Sequence, residues 1–171
     1  AFESLKTMVM AADGLLQHFA VNDLNEPVTT IAAAIDAMLA RLPTVVVEPP
    51  IVKEALLKRL ELAPVGIPNT GLAMIHTSSR GVTTPYIGAF DLKTAIPLAA
   101  MDMGTIQLQR ILLLLTPNPV PQETLTLLSA VSAKLVASPA DIQLFEKGHY
   151  SQLYQVMTEV FMHEIQKIDR R

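Results

Sequence analysis

Residues 107–115, QLQRILLLL, constrain the fold more than any other stretch of the chain. The alternation in QLQR gives way to ILLLL, five apolar residues with no position to spare for water. A run of that length is strand-sized and far too short to cross a membrane. It fits an interior strand of a sheet, since an edge or half-exposed strand would alternate throughout.

Strand and helix signals alternate around this strand, which points to an α/β layer architecture. LLQHFAV (15–21) reads as a first strand, which would place His18 inside it as a packing residue. Pro27 is expected to open a helix whose apolar positions Ile31, Ile35, Met38, Leu39 and Leu42 keep the helical period. VEPP (47–50) breaks the chain, a second helix follows to about Leu62, and the turn-rich link APVGIPNTG leads into the strand LAMI. PYIGAF (85–90) is a further strand and TPNPVP (116–121) a rigid loop. Three helices are then expected, at about 121–136, 139–147 and 150–168. The middle one has Ser138 as cap, Pro139 in the first turn and Gly148 as terminator. The last carries Leu153, Met157, Val160, Phe161, Ile165 and Ile168 on one stripe. No repeat or low-complexity segment interrupts the pattern.

Half of the 171 residues are hydrophobic, which suits one compact domain with a real core. The 13 Lys and Arg are scattered and the net charge is −3, so direct nucleic-acid contact by this segment is not expected, nor is membrane insertion. The absence of cysteine excludes disulfides and thiolate metal sites and fits a cytoplasmic setting. His18, His76, His149 and His163 lie far apart and form no ligand motif, so no metal is called for; the sequence implies no cofactor either. A G-x-S-x-G elbow and a Walker-type loop are both missing, which leaves hydrolase and nucleotide-binding readings without support. The chain begins at Ala1, and residues 1–10 read as a remnant of an upstream linker or helix, with the domain proper at 11–171.

His76 is the residue that composition does not explain. GLAMIHTSSRG (71–81) delivers it at the exit of an apolar strand, an edge where open α/β sheets place their sites. The hydroxyls of Thr77, Ser78 and Ser79, backbone N–H groups and the cation Arg80 follow. Such donors suit a phosphoryl group, bound or carried on an imidazole nitrogen. A histidine satisfied at a strand end, before an ordinary polar turn, fits the same residues, and these alone leave both readings open. In PIVKEALLKRLEL (50–62), Arg59 lies seven residues after Val52, close to the buried stripe rather than the wet face. It needs an anionic partner or a snorkelling path to water, and the pattern admits either.

The stretch VKEALLKRLELAPVGIPNTGLAMIHTSSRGVTTP resembles the core of enzyme IIA domains of the mannitol/fructose class of the bacterial phosphotransferase system. The likeness continues through RILLLLTPNPVPQETLTLLSAVSAKLV and DIQLFEKGHYSQLYQVMTEVF, covering nearly everything from about residue 11. It implies a mixed β-sheet of about five strands with helices packed on both faces. It also implies His76 as phosphoacceptor and Arg59 as the arginine that faces it, while Thr77 and Ser78, by their place beside His76, are expected to hydrogen-bond the phosphate. Two departures stand out. Ile75 and Thr77 flank the histidine where transporter-type members carry Pro and Gly, and Thr124 occupies the place of a second histidine. GIPNTGLAMIHTSSRG is more similar to the C-terminal domain of mannitol-operon-activator-type transcription regulators. That resemblance implies a regulatory domain rather than a turnover enzyme, with upstream domains in the same polypeptide. Its phosphate partner would be a histidine phosphocarrier protein or a sugar-specific IIB domain, and an oligomer is compatible with it. The alternative within the family is a free-standing IIA enzyme relaying phosphate to a sugar permease.

Overall fold

The computed structural model describes residues 2–170. The described chain forms two compact units, one spanning Ala20–Pro119 and the other built from the segments on either side of it.

The central unit carries the sheet. Its elements in chain order are β1 (Val21–Leu24), α2 (Ile31–Ala40), α3 (Pro49–Leu62), β2 (Leu72–Ser78), β3 (Tyr86–Ala99) and β4 (Thr105–Thr116). The strand order is β1-β3-β4-β2, with β1 parallel to β3, β3 antiparallel to β4, and β4 parallel to β2. The α/β class and mixed sheet are as expected, but the sheet has four strands rather than five. β4 is interior, as ILLLL required. Its residues alternate exposed and buried from Thr105 to Gln109, and from Arg110 to Thr116 every one is buried. Ile35 and Met38 of α2, with Val52 and Leu56 of α3, share one core with Ala73, Ile75, Phe90, Ile111, Leu113 and Leu115 of the strands. Each such fully buried side chain contributes roughly 1.5–3 kcal/mol relative to exposure.

Three expectations about element boundaries fail here. The strand placed at 15–21 is in fact the end of a helix followed by a short strand, Val21–Leu24. Pro27 does not open α2; Thr30 does, its side chain accepting a hydrogen bond from the Ala33 N–H at 3.1 Å. VEPP behaves as a helix start rather than a break, since Pro49 and Pro50 occupy the first turn of α3, where no N–H is needed.

A partly buried ion pair ties β3 to β4. Asp91 and Arg110 face each other, with Nε 2.6 Å from Oδ1 and Nη2 3.0 Å from Oδ2. Just beyond it, four residues of β3 stand against one of β4, an irregularity that the fork-to-fork contact anchors from one side. Asp91→Ala leaves the Arg110 guanidinium, 8% exposed, without its carboxylate. The expected cost is about 2 kcal/mol in urea unfolding, below that of a wholly dry pair because Asp91 is itself partly exposed.

The second unit is helical: α1 (Phe2–His18), α4 (Gln122–Leu135), α5 (Pro139–Lys147) and α6 (Tyr150–Asp169). α1 and α4 both pack on α6. Met8, Ala12, Leu15 and Phe19 are buried along one stripe, and α1 passes residue 10 unbroken. His18 therefore closes a helix instead of lying in a strand. The three C-terminal helices fall where the sequence places them. At α5, the Ser138 hydroxyl accepts from the Asp141 N–H at 3.1 Å and donates to its carboxylate at 2.8 Å. Ser138→Ala should lower the unfolding free energy by about 1 kcal/mol, the usual worth of such a cap.

Candidate phosphoacceptor site

β2 is an edge strand, and its length decides what His76 does. The strand does not stop at LAMI but pairs with β4 through Ser78, so His76 lies within it, opposite Leu114. Strand side chains alternate between faces. Ala73 and Ile75 go into the core shared with α2 and α3. His76 and Ser78 therefore stand on the other face, while Thr77 points to the same side as Ile75. His76 and Ser78 are exposed and Thr77 half-buried.

Local packing brings α3 to this strand. After β2, Ser79 is buried and accepts the Gly81 N–H at 3.1 Å, turning the chain. The Gly81 carbonyl then accepts the Val47 N–H at 2.9 Å, beside the start of α3. A Cβ at Gly81 would stand 2.9 Å from Val52 Cγ2 and 3.0 Å from the Glu48 carbonyl oxygen, so only glycine allows this approach. α3 packs along β2, and Arg59 near its end lies close enough to His76 for its charge to act on the ring.

Arg59 is half-buried and lies in the last turn of α3, with Nη1 3.4 Å from the Ala63 carbonyl oxygen. Among the described residues no carboxylate pairs with it. Partial burial of the imidazole, then the Arg59 charge, hold the His76 pKa below its ordinary 6.5. Both causes disfavour the imidazolium. Neither ring nitrogen hydrogen-bonds within the described chain, so a neutral imidazole presents a free lone pair beside a guanidinium short of an anion.

The neighbouring hydroxyls differ in availability. Ser78 Oγ lies 2.8 Å from Thr116 Oγ1 and 3.2 Å from the Pro117 carbonyl oxygen. Ser79 is committed to its turn, and Arg80 is exposed in the same loop. The structure thus puts Ser78 on the face that carries His76 and Thr77 on the opposite face, with the Arg59 charge near enough to act on the His76 ring. Thr116 was not evident from sequence, where its only signal is a hydroxyl closing an apolar run; the pairing Ser78↔Thr116 reveals it. Thr124 is buried in α4, in the helical unit. Among the described residues no group of three His, Asp or Glu could hold a metal, and no single helix is long and apolar enough to cross a membrane.

Comparison with known proteins places this geometry in a family. A curated relative from Streptococcus mutans serotype c, named "Putative transcriptional regulator MtlR", is 25% identical over 169 residues, covering 97% of this chain. The chain spans about a quarter of that relative's length. In fold it is similar to the crystal structure of nitrogen regulatory protein IIA-Ntr from Neisseria meningitidis, with a TM-score of 0.63 and 20% identity over 86% of this chain and 99% of that one. Residues 17–160 match the family model of the EIIA 2 component of the phosphoenolpyruvate-dependent sugar phosphotransferase system. The chain belongs to that EIIA 2 family.

Proposed function

We propose that this chain is a phosphorylatable regulatory domain of a sugar-operon transcription regulator, with His76 as the acceptor. One observation carries the reading: His76 stands exposed on an edge strand with neither ring nitrogen hydrogen-bonded, and the Arg59 cation that acts on it pairs with no carboxylate among the described residues. An imidazolium beside that cation would be repelled, so the ring stays neutral and the guanidinium is left to meet an incoming dianion.

A histidine phosphocarrier protein, or a sugar-specific IIB domain, docks over the exposed ring. The lone-pair nitrogen of His76 attacks phosphorus in line. As the new N–P bond forms, the donor's bond to phosphorus breaks, and its electron pair leaves with the donor side chain that carried the phosphate. No proton has to be taken from the attacking nitrogen, because the depressed pKa keeps it free near pH 7. Arg59 and Ser78 hold the equatorial oxygens. The added charge, about two negative units, alters contacts with other domains of the regulator, and so changes transcription. Likeness to a relative four times as long that bears a transcription-regulator name supports this over a free-standing relay enzyme. A cytoplasmic location follows, since both the phosphate donors and the DNA are there; mannitol is the sugar implied by the same likeness.

With phosphoenolpyruvate, enzyme I and the phosphocarrier protein, the chain should gain one phosphoryl group, stable in alkali and lost in acid. Failure to incorporate phosphate would contradict the reading.

A further inference from the structure

We infer that Thr116 is a positioning residue for the phosphoryl group on His76, acting through the hydroxyl of Ser78. The inference rests on the proposed phosphorylation of His76 and adds a residue that the family likeness does not supply. Thr116 ends β4 and faces Ser78 in the parallel register, two places after the pair His76↔Leu114. Period-two alternation puts the Thr116 and Ser78 side chains on the face that carries His76. Thr116 is a buried polar residue, and its hydroxyl lies 2.8 Å from Ser78 Oγ.

Direction follows from counting protons. A serine hydroxyl has one, and the 2.8 Å contact admits either donor; only Ser78 has a second acceptor among the described residues, the Pro117 carbonyl oxygen 3.2 Å away. Thr116 is then the donor in the shorter contact, and the chain runs from Thr116 to Ser78 to the Pro117 carbonyl. Ser78 and His76 stand roughly 7 Å apart along the strand, a gap that an imidazole and its phosphoryl group span. When phosphate arrives, only the last link changes. The Ser78 proton turns from the neutral carbonyl to an anionic oxygen, a stronger acceptor. Thr116 still donates, and so polarises the Ser78 O–H toward the phosphate. The tie between β2 and β4 does not depend on this hydroxyl, because the Ser79 N–H donates to the Thr116 backbone carbonyl at 3.0 Å.

The test measures phosphoryl transfer from the phosphocarrier protein to the 171-residue chain and its variants, with thermal unfolding alongside. Thr116→Val keeps the β-branched shape and removes the donor; it should slow transfer about 3–10-fold, the usual scale for one hydrogen bond. Thr116→Ser should restore the rate even if it melts earlier, which a purely structural role would not predict. Ser78→Ala should lose at least as much as Thr116→Val, and the double variant should be no slower than Ser78→Ala alone. Thr116→Ala serves if the valine variant does not fold. Unchanged transfer in Thr116→Val, or a double variant whose losses multiply, would overturn the role of Thr116 while leaving His76 in place. Label persisting in His76→Ala would remove both.

Discussion

A His76→Ala chain takes up no acid-labile phosphate under conditions that fully label the unaltered one. The effect is expected to be complete because no substitute nucleophile stands in the same setting. Ser79 is locked in its turn, and Thr77 faces the opposite side of the strand. Ser78 has its proton directed at a carbonyl and no base to remove it. The substitution sits at an exposed position of an edge strand, so folding should survive it. An unchanged melting profile alongside lost labelling separates chemistry from stability. Residual label at the normal rate would reject the assignment.

Arg59→Ala is expected to slow transfer about 100–1,000-fold, the scale seen when a preorganised charge facing a transition state is removed. Its effect on pH dependence has the opposite sign from its effect on rate. Arg59 lowers the His76 pKa, so the attacking nitrogen stays free at a pH below the ordinary 6.5 of an imidazole. Without Arg59 the ring binds its proton more readily, and the acid limb of the rate profile moves to higher pH. Burial, the larger cause, remains, so the limb should move only part of the way. Linkage gives the matching stability statement. The unfolded chain binds a proton at His76 more readily than the folded one, so this group favours folding increasingly as pH rises through its pKa values. That contribution is lost below them. An Arg59→Ala variant with an unshifted acid limb would show that the guanidinium does not act on the ring.

How much of this was legible in the sequence depended on whether local signals and tertiary packing agreed. α5 was visible because Ser138, Pro139 and Gly148 bracket it residue by residue, α3 because prolines stand in its first turn, and α6 because of its apolar stripe. LLQHFAV was misread because its apolar doublets satisfy both periods. The helical stripe that decides it starts at Met8, in residues taken for an upstream remnant. β1 itself, VNDL, has little strand propensity and exists through its pairing with β3. His76 and Arg59 could be singled out as residues out of keeping with their surroundings. What the sequence could not give is the period-two geometry of a strand longer than its apolar part. That geometry separates Thr77 from His76 and couples Ser78 to Thr116, a residue 38 positions away.

The most direct measurement locates the phosphate. The labelled chain, kept alkaline to protect N–P bonds, is cleaved and its peptides are fragmented in a mass spectrometer. The modification is predicted on His76, within the peptide that contains GLAMIHTSSR. Phosphate found instead on His18, His149, His163 or a hydroxyl side chain would contradict the account.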